Sequence, residues 1–214
     1  MKPFSAMAAL PPRALVSTLA SVLFLALPGL AAGEGVEELV SMCEACHGPG
    51  GVSQHPDVPI IAGQTEEFLE KTLRTYQVWG RPCIKSAWRH GDTDRPQADM
   101  CAIAEGLTGE EIQALAAHFS AQPFAPAAQE FDPDLAAAGA VLHAEQCESC
   151  HHEGGSQAGR GPRLAGQWTT YLRTSLRFVP TGEHMVPPAM ETSVSELGED
   201  QIEALMNFYA SQQD

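Results

Sequence analysis

The sequence predicts an all-α protein built from two tandem copies of one small helical unit, and three observations carry that expectation. Cys43-Glu-Ala-Cys46-His47 and Cys147-Glu-Ser-Cys150-His151 repeat the same residue types in the same order, 104 positions apart. Further matches keep nearly the same register: Pro59 to Gln64 falls on Pro162 to Gln167 at 103, and Met100 and Leu107 fall on Met190 and Leu197 at 90. Such self-similarity marks a repeated structural unit. Apolar residues recur throughout at helical spacing, and no convincing run of period two interrupts them.

The elements can be justified in order. Residues 1–33 read as a cleaved targeting segment, because Lys2 and Arg13 precede the apolar run Ala14 to Leu27 and small residues through Gly33 offer a cleavage site. That run is shorter than the roughly 20 residues a bilayer span needs, and Ser17, Thr18, Ser21 and Pro28 break it. The expected product is therefore exported, periplasmic and without stable membrane insertion. The first domain spans 34–122. Val36, Leu39, Val40 and Cys43 share one helix face, Phe68, Leu69, Leu73 and Tyr76 another, and Thr108 with Glu111 forms a capping-box pattern before Ile112, Leu115, Ala116 and Phe119. The segment 123–133 holds three prolines and little periodicity, so it reads as an extended linker. The second domain spans 134–214 and closes on Ile202, Ala204, Leu205 and Tyr209, the counterparts of Ile112, Ala114, Leu115 and Phe119. The fall in offset from 103 to 90 places about 13 additional residues in the first copy, around Arg81 to Arg95.

Composition excludes some partners. Twelve basic residues stand against 27 acidic ones, a formal charge of −15, so nucleic acid lacks the clustered Lys and Arg it would need. The whole chain has only three Trp, three Tyr and eight Phe, so the core of each unit of roughly 80 residues is small, and small units of this kind need a staple or a cofactor.

C-x-x-C-H is the attachment signature of c-type haem: two thiols, Cys43 with Cys46 and Cys147 with Cys150, add to the macrocycle, and His47 or His151 is placed to bind iron. A redox dithiol would want a βαβ setting that is lacking here, and a zinc site would want a fourth close ligand in each copy. Two covalently bound haem c groups are the expectation. Met100 and Met190 are the methionines that match between copies, and thioether sulfur is a soft iron ligand that raises the potential of a c-type haem. Met185 is the rival in the second copy. Pro59 and Pro162 are placed to offer a carbonyl to the proximal imidazole, or are plain turn prolines. Cys83 and Cys101 read as a disulfide closing the additional loop, with free or regulatory thiols as the alternative. Arg81, Lys85, Arg89 and Arg95 make that loop locally positive, which suggests either a docking surface for an acidic redox partner or a solvated loop.

With these residues in place the sequence resembles the diheme cytochromes c. Cys43-Glu-Ala-Cys-His-Gly48, Ile61-Ala-Gly-Gln64 and the late Met100 look like a cytochrome c4 domain. Cys147-Glu-Ser-Cys-His-His-Glu-Gly-Gly155 and Leu164-Ala-Gly-Gln-Trp168 look closer to the haem subunit of flavocytochrome c sulfide dehydrogenase. The resemblance implies two class I cytochrome c domains related by a pseudo-twofold axis, with His47, Met100, His151 and Met190 as iron ligands. It also implies single-electron transfer between redox proteins, as a free carrier or as a subunit serving a sulfide-oxidising flavoprotein, with a terminal oxidase as a further partner. The alternative is an enzyme of peroxidase or thiosulfate oxidase type acting at a haem with a labile or unusual ligand, for example with Cys101 displacing Met100.

Overall fold

Four loops end in a side chain whose oxygen meets the first free amides of the next helix. Thr65 Oγ1 accepts from Phe68 N at 3.2 Å, Asp99 Oδ1 from Ala102 N at 3.0 Å, and Thr108 Oγ1 from Glu111 N at 3.2 Å. Asp132 Oδ1 accepts from both Asp134 N and Leu135 N, at 2.8 and 3.1 Å. Each such cap is worth about 1 kcal/mol. In this computed structural model, which describes residues 1, 34–157 and 161–213, the caps set the starts of four of eight α-helices. The targeting segment expected over 1–33 lies, Met1 apart, outside the described residues.

The first half contributes α1 (Glu34–His47), α2 (Glu66–Gln77), α3 (Met100–Glu105) and α4 (Gly109–Ser120). The second contributes α5 (Pro133–Gln146), α6 (Thr169–Arg177), α7 (Pro188–Ser195) and α8 (Glu199–Ser211). Among the described residues there is no β-strand, only an isolated antiparallel bridge in which Ser86 and Ala98 exchange hydrogen bonds of 2.8 and 3.1 Å. That bridge folds the additional loop of the first copy back on itself. A disulfide between Cys83 and Cys101, with Cα atoms 5.5 Å apart, closes it. No helix among the described residues is long and apolar enough to cross a membrane.

Each half has its own core. Val40 of α1, Leu69 of α2 and Ile112, Leu115 and Phe119 of α4 are buried together in the first, and the helix faces read from the sequence turn inward except at Tyr76, which packs on Arg81 instead. Leu142 of α5, Leu172 of α6 and Leu205, Met206, Phe208 and Tyr209 of α8 fill the second. A third cluster lies where the halves meet: Ile60, Ala62 and Ala127 are buried against Val52, Phe124 and Trp168. The linker is therefore extended but not a free tether. Ala127 N donates to Gly166 O at 2.7 Å, and the Gln129 side chain donates to Gln167 O and accepts from Thr169. Its prolines forbid helix, while Phe124 and Ala127 give it an apolar edge that burial holds in place. Pro133 occupies the first turn of α5, where a missing N–H costs nothing.

Candidate haem-attachment sites

His47 ends α1, and His151 follows α5 by one short turn. Both rings are buried. Nδ1 of His47 lies 2.9 Å from Pro59 O, and Nδ1 of His151 lies 2.9 Å from Pro162 O. A carbonyl only accepts, so each Nδ1 carries the hydrogen. Burial, the dominant cause, lowers the pKa of both rings below the usual 6.5 and keeps them neutral at neutral pH. Nε2 is then the nitrogen with the free lone pair, and among the described residues it has no hydrogen-bond partner in either ring. A neutral imidazole fixed through one nitrogen and open at the other is the form a metal binds.

The four cysteines of the two motifs are free thiols. Burial pushes Cys43 up to about 12 and raises Cys46 and Cys147 as well, so these sulfurs are protonated and uncharged at neutral pH. Cys43 packs on the first core and Cys147 on the second. The donor set in each half is thus two thiols and one prepared imidazole, which fits covalent haem c; among the described residues no fourth close ligand completes a structural zinc site there.

Two further groups support the motifs, and neither was singled out in the sequence. Glu44 Oε1 accepts from Gly50 N at 2.7 Å, and in the second half Glu148 accepts from Glu153 N at 2.7 Å and Gly154 N at 3.0 Å. The shared Glu after each first cysteine was the available signal. In the second half alone, the fully buried His143 joins the network. Its Nε2 lies 3.0 Å from both Glu148 Oε2 and His151 O, so it carries the hydrogen, and Nδ1 accepts from the Tyr209 hydroxyl at 3.0 Å. Leu39 stands at the matching place in the first half.

Met100 opens α3 and Met190 is the third residue of α7; both are half-buried. Cys101, next to Met100, is engaged with Cys83 and so is not a free thiolate. Met185, the rival, is 63% exposed and its N–H donates to Gly80 O at 2.8 Å. Of the four cations in the additional loop, Lys85 and Arg95 are exposed and Arg89 is half-buried, so the solvated or docking reading fails for Arg81 alone. Arg81 is buried, Arg89 pairs with Asp57, and the Arg95 guanidinium stands 3.7 Å above the Trp88 ring.

The two proximal loops are held by each other's domain. Gln167 Oε1 accepts from Ile60 N at 2.9 Å and its Nε2 donates to Ile60 O at 2.8 Å. Reciprocally, Gln64 Oε1 accepts from Arg163 N at 2.9 Å and its Nε2 donates to Arg163 O at 3.1 Å. Gln64 matches Gln167, and Ile60 matches Arg163, so the contact repeats about a pseudo-twofold axis. Ile60 directly follows Pro59, and Arg163 directly follows Pro162; each glutamine therefore steadies the carbonyl that orients the other domain's imidazole. Gln167→Leu strands a buried N–H and C=O and is expected to destabilise the protein by about 1–3 kcal/mol, read by denaturant unfolding of the haem-loaded chain. An unchanged midpoint would show that the clamp carries no stability.

A family profile described as "Cytochrome C oxidase, cbb3-type, subunit III" matches residues 134–208. The chain is 31% identical over 157 residues to cytochrome c4 of Azotobacter vinelandii, covering 68% of this chain and 70% of that protein. The crystal structure of reduced recombinant cytochrome c4 from Pseudomonas stutzeri superimposes with a TM-score of 0.66 at 25% identity, over 84% of this chain and 97% of that one. Thiosulfate dehydrogenase from Marichromatium purpuratum, in its as-isolated form, aligns with a TM-score of 0.62 at 27% identity, over 79% of this chain but 36% of that one.

Proposed function

Since the chain belongs to the cytochrome c4 family, we propose that it is a periplasmic carrier taking single electrons from a dehydrogenase that acts on reduced sulfur and passing them to an acceptor such as a terminal oxidase. It is a diheme electron-transfer cytochrome with two covalently bound haem c groups. The match to part of a thiosulfate dehydrogenase supports the donor class, and the targeting segment expected over 1–33 supports the compartment. The reading as an enzyme acting at haem is not favoured, because the relatives matched over most of their length are cytochromes c4; its variant in which Cys101 displaces Met100 also loses the thiol to the disulfide.

One observation carries the assignment of sites: a buried, neutral imidazole tied through Nδ1 to a proline carbonyl occurs twice, at matched positions. In the proposed arrangement domain 34–122 attaches the first haem through Cys43 and Cys46, with His47 and Met100 as iron ligands. Domain 134–214 attaches the second through Cys147 and Cys150, with His151 and Met190. Each haem, when bound, supplies an iron that gains and loses one electron. The chain's part would be to offer that iron both a His and a Met ligand in each domain, and to hold those side chains still so that little rearranges with each electron. Pro59 and Pro162 fix ring orientation, Glu44 and Glu148 fix the turn beyond each motif, and the apolar cores exclude water.

The purified, exported protein is expected to show the mass of two haems and low-spin spectra in both redox states. A colourless product of bare peptide mass would overturn the assignment. Met190→Ala should abolish the sulfur-to-iron charge-transfer band of one haem and lower its potential, whereas Met185→Ala should leave both haems unchanged; the reverse pattern would move the ligand to Met185. Rapid reduction by a thiosulfate- or sulfide-oxidising dehydrogenase tests the donor, and failure with both classes would remove it.

A further inference from the structure

Met100 and Met190 are matched residues, yet the chain reaches them by unlike routes. In the second half the connection from α6 to α7 is 178–187, and Pro187 and Pro188 fix the backbone just before Met190. In the first half the connection from α2 to α3 is 78–99, which includes the additional residues. A longer tether holds its far end less closely, because more separations of its ends are open to it. The helix it leads to has only six residues, too few to persist without outside support.

The disulfide removes that slack. Cys101 is the second residue of α3, directly after Met100, and is 1% exposed. Its bond to Cys83 ties α3 to a point shortly beyond α2, so the covalent path from α2 to Met100 runs through 78–83 and bypasses 84–99. The bypassed residues close on themselves through the bridge between Ser86 and Ala98. Other contacts complete the support of α3. Asp99 Oδ1 caps Ala102 N at 3.0 Å, and the side-chain amide of Gln77, the last residue of α2, donates to Ala104 O at 3.0 Å and Leu107 O at 2.9 Å. The glutamine holds the far end of the helix, and the disulfide holds the end that carries Met100. Glu191 stands in the second half where Cys101 stands in the first, so the link has no counterpart there.

We propose that Cys83 and Cys101 are positioning residues for the first haem: their disulfide holds Met100 at the iron, and without it that haem, and not the second, loses its sulfur ligand. The proposal rests on the diheme reading with Met100 as a ligand. It makes the two haems unequal in how their ligands are held, one by a cross-link and the other by consecutive prolines.

The test compares the full diheme protein as wild type, Met100→Ala, Cys83→Ala/Cys101→Ala and Cys83→Ser. The band lost in Met100→Ala identifies the first haem's share of the sulfur-to-iron charge-transfer absorption of the ferric protein. The double variant is expected to lose that same share and keep the second haem's, to lower the first haem's potential, and to bind carbon monoxide at one haem in the ferrous state, where the wild type binds it at neither. A disulfide that only stabilises the fold would lower the unfolding midpoint and leave band, potentials and carbon monoxide uptake as in the wild type; that result overturns the proposal. Loss of the band at both haems together would show a general loosening and overturns it too. Should the double variant not fold, Cys83→Ser, which keeps the buried Cys101 sulfur and removes only the bond, decides by the same band and potential. A Met100→Ala protein with the wild-type band removes the Met100 reading itself, and a wild-type chain that lacks haem removes the diheme reading.

Discussion

Changing Cys147 and Cys150 together to serine is expected to leave one covalently bound haem and to unfold the second domain at temperatures where the first stays folded. The second core contains six buried residues from α5, α6 and α8, Leu142, Leu172, Leu205, Met206, Phe208 and Tyr209. So few buried apolar side chains leave a unit of this size little to set against the entropy lost in ordering its chain. A unit of this size therefore relies on whatever large apolar group its core surrounds, and binding free energy becomes folding free energy. Cys147 itself packs on that core, so the attachment point and the hydrophobic centre are continuous. Intact mass should fall by one haem, and calorimetry should show the second domain melting early. Retention of two haems would overturn the assignment of the attaching thiols.

Gly139→Ala should be strongly destabilising. Gly139 lies in α5 where it crosses α8, and a Cβ there would overlap Ala204 O and come within 2.8 Å of Phe208 Cβ. Backbone cannot swing aside as the end of a flexible side chain can, so the two helices must separate. The expected cost is at the top of the roughly 1–3 kcal/mol seen for overpacked cores, or above it. Gly35 occupies the matching position in α1 and has no described atom within 4 Å of its would-be Cβ. Gly35→Ala is therefore expected to be neutral or to stabilise by up to about 1 kcal/mol, since glycine is a poor helix former. Thermal unfolding of the two variants side by side checks the contrast, and equal effects would mean that the α5/α8 crossing is not tight.

The helices were legible because their signals are local. Thr108 and Glu111 announce α4, and the apolar faces of α1, α2 and α4 follow a 3.6-residue period that burial enforces. The duplicated C-x-x-C-H strings were legible for the same reason, being short patterns tied to one chemistry, whereas Pro59 and Pro162 read equally well as turn prolines until the structure set their carbonyls against the imidazoles. The short helices α3 and α7 were not. Each is too brief to show a period, and α7 begins in consecutive prolines that read equally well as a turn. Arg81 was misread because charge in sequence suggests solvent, while its burial depends on Tyr76 of its own domain and Tyr171 of the other. Gln64 and Gln167 were visible as a match between copies, but nothing local states that each reaches across to the other's backbone. Contacts whose two ends lie 99 and 107 positions apart are properties of the assembled pair.

The exchange of glutamines has a consequence for how the two halves came to be arranged as they are. A contact in which residue and counterpart trade places is isologous, the kind that two separate, identical chains form when they associate about a twofold axis. The covalent connection therefore need not create the geometry. It raises the local concentration of one half around the other, so that a surface of modest area stays closed at any dilution. Once joined, the halves were free to diverge, and His143 in one and the Arg81 loop in the other are differences that a symmetric dimer of one gene product could not carry.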